Sequence, residues 1–454
     1  MRELMPRVAV GALFSPLEVG AGRAPQAAGD LADLLERSGC DTVHLGHLGS
    51  TQAAISAGQH AAEAHVDALA LVAASWYEDY LLLDLLEECS IPLLLWSLPG
   101  METGALCGTQ QATSYLQQLD KPYVAVFGAI EPGAPLVRTL RFLRAAALHR
   151  RLRHARIGLA GLRTRGMTEV AAVEIALKKV LGARVVPVDM VALINRARQT
   201  SQNETLPVWN TVKQAAGSVQ VTDTAGQEAA GFYIAIRELF EREGLSALAF
   251  GCYPDYMGCA CMAASLLADS GAPVGCEGDV NGALAMFILQ TLTGQPTHNT
   301  DWLDPLPDSS VVFTHCGSGS YTLAERREDI TLAPVRLANT GVCSLFPARP
   351  GKVTLTNLMP SGAGYQMAVL QGEALHTDMV FPGNPLRVKF DQPVEQVIDW
   401  IHEEGIGHHW MAGYGHVAGE LKELARIIGP GLRYLELLAP GVDLSRCGDV
   451  KFGG

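Results

Sequence analysis

The chain has 454 residues, which exceeds what a single hydrophobic core usually accommodates. This length fits two or three domains. Hydrophobic residues make up 48% and charged residues 18%, which is typical of a globular chain and argues against disorder. The formal charge of −13 argues against a nucleic-acid-binding face, which requires clustered basic residues. Neither a membrane span nor a secretory signal is evident, so we expect a cytoplasmic protein.

The first third of the chain alternates apolar, β-rich runs with amphipathic helical stretches. This alternation is typical of βαβ units and predicts a Rossmann-like parallel α/β domain over residues 1–152. The basic residues at 150–153 are interpreted as a linker. The expected strands are Val8–Phe14, Thr42–Leu45, Ala68–Ala74, Leu93–Leu98 and Tyr123–Ala129, with helices at Asp30–Arg37 and Ala53–Ala64.

A second Rossmann-like α/β domain is predicted over residues 153–308. It begins with a strand at Arg156–Ala160, a helix at Thr168–Leu181 and a strand at Arg184–Val188. Glycines at positions 158, 161 and 166 mark the first turn without forming the GxGxxG pattern of dinucleotide sites. Two interpretations stay open: a tight turn, or a nicotinamide site with Asp189 on the ribose.

Residues 309–454 have a different pattern and predict a mainly antiparallel β domain with little helix. Short apolar runs there are separated by Gly, Pro and Asn. The expected strands are Val311–His315, Thr331–Val335, Lys352–Leu358, Gln366–Glu373 and Leu386–Phe390, and the helices are Val394–Glu404 and Ala418–Ile428.

Carboxylates stand where a predicted strand meets a predicted helix. Glu277 and Asp279 follow the apolar run Ala272–Gly275 and precede a helix over Ala283–Leu292. They could simply cap that helix and interact with its dipole. The alternative is a ligand site, because open α/β sheets bind ligands at the carboxyl ends of their strands.

Histidines and cysteines offer further ligand atoms. His315 leaves a predicted strand, and the adjacent pair His408 and His409 lies near the end of the chain. Carboxylate and imidazole ligands suit Mn²⁺, Mg²⁺ or Co²⁺. The cysteines around position 260 lack the paired CxxC spacing of zinc sites, so we expect reduced, mostly buried thiols there. These cysteines are Cys252, Cys259, Cys261 and Cys276.

The run from Glu277 to Asp301 resembles the L-fucose isomerase and L-arabinose isomerase superfamily. The matching pattern is Glu277-x-Asp279-x-Asn281-Gly282, a helix, Leu292-Thr293-Gly294 and then Asp301. The resemblance implies that Glu277 and Asp301 bind a metal, Mn²⁺ with Mg²⁺ or Co²⁺ as alternatives, and also act as base and acid.

The same resemblance implies further site residues. His409, followed by Gly415-His416-Val417, takes the place of the third metal ligand, and His315 that of a fourth. His408 replaces a substrate-contacting Asn, and Asp279, Asn281 and Phe381 are further expected substrate contacts. Ser75-Trp76-Tyr77 matches a segment whose aromatic residue reaches a neighbouring subunit's substrate, which implies a homo-oligomer, a trimer or hexamer.

We therefore expect a metal-dependent aldose–ketose isomerase that converts an open-chain monosaccharide through an enediolate. The expected sugars are L-fucose, D-arabinose, L-arabinose or a related one. The region Met379–Leu386 lacks the Trp-rich substrate loop of L-fucose isomerases, so the resemblance implies the reaction class more firmly than the sugar. The competing hypotheses are a sugar-binding regulator without turnover and a nicotinamide oxidoreductase.

Overall fold

The structure is a computed structural model, and it describes residues 4–437. Its first unit is a five-stranded parallel sheet in the order β2-β1-β3-β4-β5. The third and fourth strands are buried at every residue, which explains their unbroken apolar sequences. The strands are β1 (Arg7–Leu13), β2 (Asp41–Leu48), β3 (Ala68–Ala73), β4 (Leu93–Ser97) and β5 (Tyr123–Phe127), and the helices are α1 (Ala24–Arg37), α2 (Thr51–Glu63), α3 (Tyr80–Glu88), α4 (Ala105–Gln118) and α5 (Ala134–His154).

The second unit is a four-stranded parallel sheet in the order β10-β9-β6-β7. Its strands are β6 (Arg156–Ala160), β7 (Arg184–Val188), β9 (Ala247–Phe250) and β10 (Val274–Gly275), with the short strand β8 (Ser218–Val219) in a separate sheet. The helices are α6 (Glu174–Val180), α7 (Met190–Arg198), α8 (Gln202–Ala215), α9 (Asp223–Glu243), α10 (Cys261–Ser270) and α11 (Val280–Thr293).

Two local predictions in this region are wrong. The expected linker at 150–153 belongs to the last turn of α5, where Leu152 is fully buried and anchors the basic residues around it. The helix expected from Thr168 starts as a single 3₁₀ turn, Thr168–Val170, and α6 begins only at Glu174.

The third unit is a six-stranded antiparallel barrel. Its strands follow the order β15-β18-β11-β12-β17-β16, and pairing of β15 with β16 closes it, while β19 pairs parallel to β16. The strands of this sheet are β11 (Thr297–Pro305), β12 (Ser310–Thr314), β15 (Gly351–Ser361), β16 (Gly364–Leu375), β17 (Leu386–Phe390), β18 (His409–Tyr414) and β19 (Leu432–Glu436). Strands β13 (Thr331–Val335) and β14 (Thr340–Leu345) form a separate small sheet with β8, and the helices of this unit are α12 (Val394–Glu403) and α13 (Ala418–Ile428).

The predicted combination of two parallel α/β units with a mainly antiparallel C-terminal part is confirmed. The last predicted domain, 309–454, extends past the described residues. Strand β11, which the prediction placed in the second domain, pairs with β12 and β18 of the barrel. Asp301 therefore lies on a barrel strand.

Helix α11 joins the second parallel sheet to the barrel. It is mostly apolar and almost entirely buried, and it contacts β9 of the parallel sheet as well as β15 and β18 of the barrel. A helix without a polar face is stable only when it is covered on all sides, which this sandwiched position achieves. Its N-terminus consequently lies against the barrel strands that carry Asp301 and His409.

No helix within residues 4–437 combines the length and the apolar character that crossing a bilayer requires.

Candidate metal centre

Glu277 lies in the tight turn between β10 and α11. Its φ is 60°, and the following Gly278 has φ 69°, so two successive residues adopt the left-handed conformation. A Cβ at Gly278 would lie 2.6 Å from the carbonyl oxygen of Leu162, so only glycine fits there. The amide of Thr164 donates to the Glu277 carbonyl at 3.0 Å. The loop after β6 thus supports the backbone of the Glu277 turn.

The four predicted metal ligands converge on one point. His409 Nε2 lies 3.0 Å from Glu277 Oε2 and 3.6 Å from Asp301 Oδ1. His315 Nε2 lies 3.6 Å from the same Glu277 oxygen and 3.9 Å from Asp301 Oδ2. These side chains come from the β10–α11 turn, β11, the end of β12 and the start of β18. The fold therefore gathers ligands that are separated by up to 132 positions in the chain.

Asp279 orients His409 by contacting its Nδ1, the ring nitrogen that faces away from Glu277. Its Oδ2 lies 2.8 Å from His409 Nδ1, and its Oδ1 accepts from the Gly282 amide at 2.8 Å as the N-cap of α11. Both oxygens have partners and Asp279 is 3% exposed, which argues against the predicted substrate contact. A carboxylate on one imidazole nitrogen leaves the other nitrogen aimed at a metal, an arrangement typical of metal-bound histidines.

The donor set fits a divalent cation. Ligand atoms of Glu277, His315 and His409 lie within 4.8 Å of one another. Asp301 Oδ1 is buried and has no hydrogen-bond partner among the described residues, a costly state that a cation would relieve. Two carboxylates with two imidazoles are ligands that suit Mn²⁺ or Co²⁺. Glu277, Asp301, His409 and His315 are therefore the residues that would hold the ion.

The charges in this cluster are strongly interdependent. Burial alone would raise the pKa of Glu277, but the neighbouring imidazoles of His315 and His409 outweigh it and hold that pKa well below its usual range. Burial disfavours the imidazolium of His409, yet hydrogen bonds with Asp279 and Glu277 raise its pKa to about 10. A proton on His409 and a divalent cation therefore compete for the same ring nitrogen, and metal binding has to release that proton.

His408 lies beside the centre and has a partner that the sequence did not reveal. Its ring centroid is 4.2 Å from that of His409, and its Nδ1 lies 2.8 Å from Glu169 Oε1. His408 is partly exposed, so it remains available to a substrate. Glu169 follows the glycine-rich loop after β6, the segment for which the sequence left a nicotinamide site open. That loop packs against the Glu277 turn. The Glu169 carboxylate that follows it orients the His408 ring.

The other expected substrate contacts differ in how far the structure supports them. Asn281 is 1% exposed and donates to the Val170 carbonyl at 3.1 Å, while its side-chain oxygen accepts from Tyr365. This pairing gives Asn281 a structural role and argues against direct substrate contact.

Phe381 belongs to the loop that packs against the His315 backbone through Gly383, and the Arg336 guanidinium lies over the Phe381 ring.

Trp76 lies in the first α/β unit, where its indole nitrogen donates to Gln111 of α4 at 3.1 Å. It is only partly buried. The contact with a neighbouring subunit's substrate stays a prediction.

Comparison with known proteins identifies sugar isomerases. The chain is 29% identical over 353 residues, 75% of its length and 80% of the relative's, to a sulfoquinovose isomerase of Alkalicoccus urumqiensis. It is 27% identical to a sulfoquinovose isomerase of Priestia aryabhattai over 80% of this chain and 84% of that one. A third, from Clostridium sp. (strain MSTE9), is 26% identical over 75% of this chain and 79% of that protein. The predicted enzyme class, an aldose–ketose isomerase, is confirmed by these relatives.

No protein-family model matches the chain. Among solved structures, the arabinose-binding periplasmic component of an ABC transporter from Shewanella sp. ANA-3 aligns over 64% of this chain and 86% of its own. The alignment has 14% identity and a TM-score of 0.18, a value too low to support any inference.

Proposed function

We propose that the protein is a divalent-metal-dependent aldose–ketose isomerase of the L-fucose and L-arabinose isomerase superfamily, with Mn²⁺ as its metal. The observation that carries this proposal is the convergence of Glu277, Asp301, His409 and His315 on one point. A regulator that only binds a sugar has no need for two carboxylates and two imidazoles so arranged.

The reaction moves a proton between C1 and C2 of an open-chain sugar. A bound divalent cation supplies Lewis-acid polarisation of the sugar carbonyl. Glu277 and Asp301 are the carboxylates placed to accept and return the proton, a contribution of about 10²–10⁴-fold. Glu277 stays ionised because of its histidine neighbours, and Asp301 has the more exposed side chain of the two, 31% against 14%. Asp279 keeps His409 in the orientation that the site requires.

The names of the relatives add one sugar to those expected from the sequence. We propose sulfoquinovose, a hexose with a sulfonate at C6, as a substrate alongside L-fucose, D-arabinose and L-arabinose. The transferred proton is at C1 and C2, so a substituent at C6 leaves the chemistry at the metal unchanged. We further propose a trimer or hexamer in which Trp76 of one subunit covers the sugar of the next.

The test is an assay of ketose formation from a panel of these sugars with Mn²⁺, with EDTA and with protein variants. Glu277→Gln should abolish activity with Mn²⁺, whereas Glu241→Gln, an exposed change on α9, should leave it intact. Full turnover in excess EDTA would exclude the metal-dependent mechanism. Sugar binding without ketose formation on any member of the panel would favour the regulator.

A further inference from the structure

A cluster of thiols lies directly behind the carboxylate centre. Five cysteines form a cluster in which each thiol affects the pKa of the next, in addition to the effect of burial. The series runs Cys252, Cys276, Cys316, Cys261 and Cys343, and none of them forms a disulfide in the described part of the chain. No CxxC spacing marks this cluster, because Cys276 follows β10 and Cys316 follows β12, which are far apart in the chain. The fold brings the two strand ends together.

Two of these thiols and one imidazole are placed as metal ligands. Ligand atoms of Cys276, His315 and Cys316 lie within 4.8 Å of one another, and His315 Nδ1 is 3.2 Å from Cys316 Sγ. Zinc–sulfur bonds of about 2.3 Å and zinc–nitrogen bonds of about 2.0 Å require ligand atoms roughly 3.5–3.8 Å apart in a tetrahedron. The observed separations, 3.2 Å for one pair and at most 4.8 Å for the others, span that requirement.

The two nitrogens of His315 face different chemistry. Nε2 faces the oxygens of Glu277 and Asp301, whereas Nδ1 faces sulfur. Thiolates select soft ions such as zinc, and carboxylates select harder ions such as Mn²⁺. The group of ligand atoms on the Nδ1 side therefore differs in ion preference from the proposed catalytic centre.

We propose that Cys276, Cys316 and His315 Nδ1 form a second, zinc-selective site, completed by a neighbouring thiol, Cys252 or Cys261. On binding, each coordinating thiol releases its proton to solvent, and no electron is transferred. The zinc site shares His315 with the proposed isomerase centre, but its formation does not require isomerase activity, and all of its ligands are described side chains.

Zinc in this site changes whether His315 Nε2 is available as a ligand at the carboxylate centre. An imidazole that binds zinc through Nδ1 carries its hydrogen on Nε2, which lies 3.6 Å from Glu277 Oε2. That nitrogen then acts as a hydrogen-bond donor and is lost as a ligand to the second metal. Zinc should consequently weaken Mn²⁺ binding at the carboxylate centre, by about 10–100-fold if His315 contributes as other metal-supporting groups do.

The experiment uses Co²⁺ as an optical probe in the full-length, metal-free, reduced protein. Thiolate-bound Co²⁺ has an intense sulfur-to-metal charge-transfer absorption, which carboxylate- and imidazole-bound Co²⁺ lacks. Cys316→Ser should remove this absorption and lower zinc affinity at least about 100-fold. Cys107→Ser, at an exposed cysteine on α4, is the matched control and should retain it. One equivalent of zinc should abolish the absorption in the unmodified protein.

Crossed variants separate this site from the proposed function. Glu277→Gln should keep the charge-transfer absorption while losing isomerase activity. An inactive protein with an intact absorption would therefore support the zinc site independently of the isomerase proposal. If Cys316→Ser fails to fold, protection of the partly exposed Cys316 thiol in the unmodified protein replaces it, since one equivalent of zinc should block its reaction with an aromatic disulfide reagent. Absence of the charge-transfer absorption at saturating Co²⁺, or thiol reactivity unchanged by zinc, would overturn the proposal.

Discussion

Replacing Asp279 by Asn separates two tasks that one carboxylate performs. Oδ1 caps α11, and Oδ2 holds the Nδ1 side of His409 at 2.8 Å. Asn caps helices about as well as Asp, so the helix should start as before. The amide has no negative charge, and it can also turn its NH₂ toward Nδ1, which would move the hydrogen to Nε2 and block that nitrogen as a ligand.

The expected loss can be estimated from the buried contact. Removing a group that orients a metal-bound histidine typically lowers metal affinity about 10–100-fold, or roughly 1.4–2.7 kcal/mol. This agrees with about 1.5–3 kcal/mol for a hydrogen bond to a charged partner. Because Asp279 is 3% exposed, solvent cannot substitute for it. Asp279→Ala should suffer the same loss of affinity and also about 1 kcal/mol of stability from the missing cap.

The assay is calorimetric titration of Mn²⁺ into metal-free protein, with thermal unfolding of the same samples. We expect Asp279→Asn and Asp279→Ala to bind Mn²⁺ equally weakly, with only the Ala variant losing the additional cap stability. Mn²⁺ affinity of Asp279→Asn equal to that of the unmodified chain would refute the idea that this carboxylate orients His409 for a metal.

Three further predictions address other parts of the structure. His315→Gln should weaken Mn²⁺ binding with a modest loss of stability; unchanged affinity with a lower melting temperature would instead make His315 a structural residue. Burial, assisted by the charge of His315, lowers the pKa of His298 to about 3. Because the unfolded state has a pKa of about 6.5, it binds more protons between these values, and the stability present above pH 6.5 should fall by about 1.4 kcal/mol per pH unit toward pH 3. His298→Gln should flatten this slope in urea unfolding between pH 4 and 7, and an unaltered slope would contradict the assignment. Trp76→Ala and Glu277→Gln proteins, each inactive, should regain activity when partly unfolded and reassembled together, whereas mixed oligomers without activity would show that Trp76 serves its own chain.

The sequence located the elements best where hydrophobic pattern decides structure. The predicted strands Ala68–Ala74 and Leu93–Leu98 differ from β3 and β4 by one residue at the C-terminal end, because both are wholly buried and carry uninterrupted apolar side chains. Strands β11 and β18 were not predicted as strands, although they carry two of the proposed ligands. In β11, His298, Asn299 and Asp301 interrupt the apolar pattern. Polar residues that serve a functional site therefore interrupt the apolar pattern by which a strand is predicted from sequence.

The candidate site was predicted residue by residue through the resemblance, while its supporting contacts were not. The structure places Glu277, Asp301, His315 and His409 together, and whether they bind a metal stays a prediction. The pairing of Glu169 with His408 and the proximity of Cys276 to Cys316 join segments that are distant in the chain. Such contacts depend on how strand ends meet in three dimensions, and residue spacing does not encode them.

The position of β18 in the barrel has a consequence for protein synthesis. This strand lies between β11 and β15, both of which leave the ribosome earlier. Until residues 409–414 emerge, the growing chain carries two unpaired strand edges and only three of the four proposed ligands. Unpaired edges invite association with other chains. A nascent chain therefore gains its closed barrel and its complete ligand set in the same late step, and premature termination before His409 deprives it of both.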